Sequence, residues 1–398
     1  MKRHAVKTKY KVLASCCLMF ASLAQAEIKF NGFGSVRGTY VDTDSIQRPF
    51  ADLPEKGELS FKDESVFGLQ AKADLGDGLS ATIQFTADGK DDFDVEARWA
   101  YVSYKFDNHY QVSVGKFANP IFYQSEYEIV GYAHNFGRLP KSVYFGFDFN
   151  TVEGIALDTN HRFNGFNLST KLLYGNWDGD ITVVSTGVDE TIGIDDLMLA
   201  RVELSKDWWK VFAGGFVGEF TDGSLNTFLR STVVPGSQVA LENGATQLQV
   251  EQLSDLVQYQ GKDGEYGYIG YDVDYNNFLS SFEYAKYDVD GTLLPETRAW
   301  YLSLGYRFSD YVLLLRKEQF QRVTNYSQTD SIQHPILNAV ARGVHDVLAR
   351  NTIDGIGVSL RYDFHPSAAL KFDYFEGEDK THVDGKYSIA SFGLDFVF

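Results

Sequence analysis

The 398 residues hold 36 Lys+Arg against 54 Asp+Glu, and a formal net charge of −18 repels nucleic acid. Aromatic residues make up 15% of the chain, too many for a charge-swollen disordered polymer, so the chain is folded. Mean hydropathy is −0.23, and beyond residue 26 no stretch approaches 18 uncharged apolar residues. That excludes a transmembrane helix but not a β-barrel, whose strands show lipid only every second residue.

The chain opens on "MKRHAVKTKYK", with Lys2, Arg3, Lys7, Lys9 and Lys11 and no acid. An apolar run from Val12 to Leu23 follows, then "AQA" before Glu27. A positive segment, a short apolar core and a small-x-small site read as a removable signal peptide over 1–26. "LASC" at Leu13–Cys16 also fits a lipoprotein cleavage box, but cleavage after Ala26 is the favoured reading. Both cysteines, Cys16 and Cys17, lie in this segment, so no disulfide framework is expected in residues 27–398. Export takes no acid from the chain, and the remainder is more acidic still.

From Glu27 onwards, period-2 alternation predicts sixteen strands: 28–41, 64–75, 79–90, 95–107, 109–117, 151–160, 164–175, 194–206, 208–220, 265–276, 278–288, 297–308, 311–321, 351–364, 367–378 and 386–398. In 297–308, Trp300, Leu302, Leu304, Tyr306 and Phe308 oppose Tyr301, Ser303 and Arg307. Tight links at 76–78, 107–108, 276–277, 309–310 and 365–366 alternate with long ones at 42–63, 118–150, 176–193, 221–264 and 322–350. Shorter members fall at 91–94, 289–296 and 379–385. Short turns at one rim and long loops at the other predict an all-β fold, a 16-stranded antiparallel transmembrane barrel as one domain over 27–398. Two long loops also carry helical periodicity: Val250, Leu253, Leu256 and Val257 in 246–258, and Ile336, Val340, Val344, Val347 and Leu348 after Pro335.

The last strand, "SFGLDFVF", places Phe392, Leu394, Phe396 and Phe398 on one face, where lipid covers them. This terminus, the first strand "FNGFGSVRGTY" and the hairpin "ARWAYVSYKFDNHYQVSVGKF" (97–117) resemble the trimeric general-diffusion porins of Gram-negative outer membranes. The resemblance implies that the four terminal residues are a signal read by the barrel-assembly machinery. It also implies a homotrimer, in contact with outer-membrane lipid and lipopolysaccharide, in which 118–150 folds inward as a constriction loop. Glu126, Glu128, His134, Arg138 and Lys141 are that loop's polar candidates, with Arg98 as a constriction arginine. Alternation by contrast groups Arg98 with outward Ala100, Val102 and Tyr104. Lys116 matches a subunit contact to a neighbour's loop bearing Asp91, Asp92 and Asp94. Two of the family's arginines are replaced here, near Val66 and near Thr151 and Glu153.

Charges on the lipid face cost ~2–4 kcal/mol near the midplane, so alternation assigns strand charges to the lumen wall. These are Arg37, Lys72, Arg307, Arg361 and Lys371, with Asp272, Asp274, Glu283, Asp363, Asp373 and Asp395, together with Gln70. A surface loop with solvated charges is the plainer reading of 118–150. Enzyme signatures are missing from the sequence: no G-x-S-x-G or H-E-x-x-H occurs, and the eight histidines are scattered. "GKDDFDVE" (89–96) lacks the glycine of a calcium loop, and no metal or cofactor is expected. The expected function is passive diffusion of small hydrophilic solutes and ions through a cation-preferring pore. A substrate-specific channel or a surface adhesin barrel is the alternative.

Overall fold

The computed structural model describes residues 27–43, 50, 53–144, 149–183, 188–221, 225–349, 352–381 and 385–398. The expected signal peptide, 1–26, lies outside the described residues. Sixteen long strands form one antiparallel sheet: β1 (Glu27–Thr43), β2 (Val66–Gly76), β3 (Leu79–Asp88), β4 (Val95–Lys105), β5 (Tyr110–Ala118), β6 (Thr151–Phe163), β7 (Phe166–Val183), β8 (Val188–Lys206), β9 (Trp209–Phe220), β10 (Asp263–Tyr275), β11 (Phe278–Val289), β12 (Glu296–Phe308), β13 (Tyr311–Val323), β14 (Ile353–His365), β15 (Ala368–Asp379) and β16 (Lys386–Val397). Each pairs with its sequence neighbour. The ring closes where β1 pairs with β16, from Phe33 opposite Val397 to Thr43 opposite Tyr387. A two-residue strand, Leu59–Ser60, adds to β1 beside Thr39 and Tyr40.

Every predicted strand is present. One predicted loop is corrected: of 176–193, residues 176–183 and 188–193 are extended, because β7 runs to Val183 and β8 begins at Val188. Asn176 and Asp178 disguised this extension, although Trp177 between them is buried with Ile192 and Ile194 and packs on Phe149. At the short-turn rim Asn164–Gly165 and Asn276–Asn277 hold both residues at positive φ, the backbone that closes a two-residue hairpin without splaying its strands.

The seam shows why the chain ends on aromatics. On the outer face, Gly32, Gly34 and Gly38 of β1 lie beside Phe398, Phe396 and Phe392. A Cβ on Gly32 would stand 2.1 Å from the Phe398 ring, and one on Gly34 2.5 Å from that of Phe396. Phenyl rings therefore lie flat on bare backbone, which covers apolar area that a hairpin edge would leave to solvent. Phe398 itself is 72% exposed in the isolated chain, as a group destined for lipid or another subunit is.

The long loops are not loose coil. The β9–β10 connection holds α1 (Leu225–Glu242) and α2 (Gln247–Leu256), and the β13–β14 connection holds α3 (Pro335–Leu348). Thr246 and Gln249 form a capping box at the start of α2. In α3 the buried stripe is Leu337, Ala341, Val344, His345 and Leu348, centred one residue later than the periodicity suggested. α1 was not anticipated, because Pro235–Gly236 in its middle reads as a break; Gly236 instead gives Val340 of α3 room to approach. His345 accepts the Asn325 N–H at Nε2 (3.0 Å) and meets the Leu293 carbonyl at Nδ1 (2.9 Å), tying the β13–β14 connection to the β11–β12 one. Arg322 of β13 donates to the Leu348 carbonyl (2.8 Å) and so caps the negative end of α3.

Candidate permeation pathway

Along each strand, exposed apolar residues mark the outer face and their alternates mark the inner one. On β13, Leu313 and Leu315 are exposed, whereas Val312, Leu314, Arg316, Glu318 and Phe320 are buried. Charged groups on inner positions are buried by something other than the wall itself. That something is the β5–β6 connection.

Its neck is closed by Asn119, whose N–H bonds the Asn150 carbonyl (2.9 Å). Beyond it the chain crosses from one inner wall to another. The Pro120 carbonyl accepts from the Tyr268 hydroxyl (3.1 Å), and the Tyr123 ring stacks on Phe212 at 4.0 Å. Glu283 of β11, fully buried, accepts the Tyr123 N–H (3.0 Å) and the Tyr144 hydroxyl (2.6 Å). Glu126 reaches β7 and β8, where it pairs with Lys171 and stands 4.0 Å from Arg201. Further on, the Gly131 and His134 carbonyls accept from Lys371 (2.5 and 2.7 Å), and Arg361 donates to the Tyr132 and His134 carbonyls (2.9 and 2.7 Å). Arg138 forks onto Glu64 at 2.6 and 2.7 Å and lies 3.7 Å from Asp373. Ser142 N–H ends the circuit on Glu318 (3.1 Å).

Two titrations follow from this packing. Burial would raise the Glu64 carboxyl, but the Arg138 guanidinium outweighs it and holds the group well below the usual carboxylate range. Burial, reinforced by the charge of Lys371, pushes His134 down to about 3, so its ring is neutral at physiological pH. His134 Nε2 then donates to the Glu128 carbonyl (2.8 Å).

The predicted site residues thus fall into groups. Glu126, His134 and Arg138 contact the inner wall; Lys141 lies near enough to Glu64 for its charge to act on it. Arg37 and Lys371 share Asp395 at 3.3 and 3.0 Å, and Arg361 holds Asp363 at 2.8 Å. Asp373 belongs to Arg316 (2.5 and 3.0 Å). Lys72 stands exposed on the inner face of β2, and Gln70 is bonded to Gln84 (3.2 Å). Arg307 pairs with Asp274 at the short-turn rim, and Asp272 accepts from Ser281 (2.5 Å). Lys116 faces outward, opposite Ala100 and Glu153.

Two expectations change. The charges assigned to the lumen wall do not all face open lumen: Arg37, Arg361, Lys371 and Asp373 are buried, and Arg361 and Lys371 donate to loop carbonyls. Arg98 is neither a regular inward nor a regular outward residue. Gln84 pairs with Trp99 and Phe85 with Ala97, so Arg98 is the extra residue of a β-bulge. The bulge flips the alternation, which is why two readings of the sequence disagreed.

Sequence reasoning missed Lys171, Arg201, Arg316 and Glu318, although the same alternation on β7, β8 and β13 would have found them. Glu64 opens the predicted strand 64–75 in the same parity as Gln70 and Lys72, so alternation offered it too, although the observed β2 starts only at Val66. Lys105, Asp158, Lys171, Arg201 and Glu203 with Glu126 line an inner recess of about 380 Å³ that opens at the short-turn rim beside His109.

A closed antiparallel barrel with an apolar outer band and a charged, loop-filled interior defines an outer-membrane channel protein. The profile of the Gram-negative porin family matches residues 12–397, and the chain belongs to that family. Similar solved structures include the outer-membrane channel DcaP of Acinetobacter baumannii (13% identity, TM-score 0.55, covering 94% of this chain and 97% of that one). An anion-selective porin from Comamonas acidovorans matches at 13% identity and TM-score 0.55 over 94% and 100% of the two chains. OmpF of Salmonella typhi, in complex with daunomycin, matches at 12% and 0.53 over 94% and 98%. Identities this low speak for the fold alone. None of the curated proteins matches the chain.

Proposed function

We propose that the β5–β6 connection narrows a water-filled lumen through which small hydrophilic solutes and ions diffuse passively, with a modest preference for cations, and that the subunits form a homotrimer meeting along the β16–β1 seam. The observation that carries the reading is the seating of residues 119–144 across the interior on anchors from β11, β13, β14 and β15. Such a loop leaves a passage only along the arc it does not touch. On this reading the terminal aromatics also serve as the assembly signal, and Lys116 as a contact between subunits.

Cation preference rests on the net charge of −18, because field lines concentrate in a narrow, low-dielectric passage. Within the recess three cations, Lys105, Lys171 and Arg201, stand among four acids, Asp107, Glu126, Asp158 and Glu203, and this near balance keeps the preference modest. A KCl gradient across a planar bilayer should give a reversal potential of the potassium sign. Glu126→Gln leaves Lys171 and Arg201 short of a counter-charge and should move that potential towards chloride. A chloride sign in the unmodified protein would overturn the cation reading. Liposome swelling with a graded sugar series should show a smooth size cutoff, whereas saturation by one solute would mark a specific channel and no flux an adhesin.

A further inference from the structure

The inner recess of about 380 Å³ at the short-turn rim has a wall laid out in cross-strand rows. One row runs Gln111, Asp158, Lys171 and Arg201 over β5–β8, and the next runs Asn160, Ser169 and Glu203 over β6–β8. The volume suits a small molecule, since such sites span ~300–1,000 Å³, but they are mostly apolar and this wall is polar. The ligand it fits is polar too.

The carboxylates of the recess are already answered. Lys171 pairs with Glu126 and stands 3.4 Å from Asp158, and Arg201 bonds Glu203 (3.3 Å). Asp107 at the mouth accepts the backbone N–H groups of His109 and Tyr110 (2.6 and 3.0 Å). A ligand anion would add a further negative charge to four acids. A ligand cation would find each of those acids engaged and would meet exposed Lys105 besides. Either would have to break a pair and strand its partner.

What remains open is neutral hydrogen-bonding capacity. Ser169 Oγ accepts from Nδ2 of both Asn160 (3.2 Å) and Asn167 (3.3 Å), which leaves its own hydrogen to donate. Among the described residues nothing donates to Asn160 Oδ1 or to Gln111 Oε1. Asn167 Oδ1, beside Ser169, is buried with no partner among them. The free groups are mostly acceptors, so a matching ligand brings neutral donors. Hydroxyls are such donors, and they also accept.

We propose that this recess is a weak binding site for neutral sugars. Their hydroxyls donate to Asn160 Oδ1 and Gln111 Oε1, and one accepts from Ser169. The inference rests on the reading of the interior as a solute passage, and it names a solute class that the passage detains. Sugars are held as a class, so size still sets the cutoff of their flux.

Saturation-transfer NMR tests this on the full-length protein, in micelles of a detergent without a sugar headgroup, with sucrose as the probe. Sucrose should give a saturable signal with a Kd on the order of millimolar. Gln111→Ala with Asn160→Ala should weaken it about tenfold, because two hydrogen bonds are lost. Ser169→Phe, which fills the recess, should abolish it and serves where the double variant fails to fold. Glucosamine and gluconate, one cationic and one anionic, should bind more weakly than sucrose. The proposal is overturned by a sucrose signal that does not saturate, by one that neither variant moves, or by tighter binding of either charged sugar. Binding in micelles needs no flux, so the two readings fail separately. Sucrose flux into liposomes without saturable binding would remove the site and leave the passage, and binding without flux would do the reverse.

Discussion

Two arcs of one wall serve the interior in different ways. Over β13–β16 and β1 the inner positions carry Arg316, Glu318, Arg361, Lys371, Asp373, Asp395 and Arg37, joined to one another and to the β5–β6 connection. Over β2–β5 the corresponding positions carry Gln70, Gln84, Ser103 and Ser113, which bond only sideways (Gln84 to Gln70, Ser103 to Ser113 at 2.8 Å). The first arc is a core built from charges, and the second is a polar lining. Ion pairs fix a loop in one position; on the second arc Gln84, Ser103 and Ser113 are buried, and the inner positions that stay open are the half-buried Gln70 and the exposed Lys72 and Lys105. On the proposed function, the asymmetry separates the holding of the constriction from the passage beside it.

The largest effect should come from breaking the charged arc. Arg316 bonds Glu318 (2.6 Å), Asp373 (2.5 and 3.0 Å) and Ser359 (3.0 Å), and all four are buried. Arg316→Met strands two carboxylates, which for a buried pair costs ~3–5 kcal/mol. Urea unfolding in lipid vesicles should show that loss, and Asp373→Asn added to it should recover part. An unchanged midpoint for the single variant would mean that the network is hydrated and the arc is not a core.

A smaller, conditional effect follows from pH. The His134 ring titrates near 6.5 when the chain is unfolded and at about 3 when it is buried beside Lys371. Between those values the unfolded chain binds a proton that the folded one refuses, so stability falls as pH falls through that window. At pH 4.5 the loss is at most ~2–3 kcal/mol. Glu64 has the same sign in a lower window: the Arg138 guanidinium depresses its carboxyl, so its contribution is present above the usual carboxylate range and is lost as pH falls through and below it. Thermal unfolding from pH 7 to 4.5 should thus show a slope that His134→Asn flattens. If the variant keeps the full slope, the acid sensitivity belongs elsewhere.

The division between the arcs explains what could be read from the sequence. Strand number, alternation and rim chemistry are local properties, and the polar Gln70 and charged Arg361 could both be assigned inward from period 2 alone. Partnership is not local. Glu64 and Arg138 are distant in sequence and meet because a loop crosses the barrel, and no spacing rule encodes that. The bulge at Arg98 shifts the face of the residues before it, so one extra residue defeats alternation. Helix α1 hid behind Pro235 for a related reason: packing against α3 offsets a break that local propensity would enforce.

The smallest structural effect, and the sharpest test of the division, is to charge the polar arc. Gln70 is half-buried on the inner face of β2, and Lys72, two residues along, is already exposed there. Gln70→Arg removes one hydrogen bond, to Gln84, and adds a cation beside the passage. The cost to folding should stay within ~1 kcal/mol, since a solvated side-chain bond contributes about that. Permeation should respond far more than stability, because an unpaired charge in a narrow, low-dielectric lumen acts at full strength while those of the opposite arc cancel in pairs. The reversal potential in a KCl gradient should therefore move towards chloride, and unfolding in urea should scarcely change. Arg361→Gln on the charged arc should give the reverse pattern, a clear loss of stability with little change in selectivity. Should the two variants shift selectivity equally, solutes pass along both arcs and the loop does not divide the lumen.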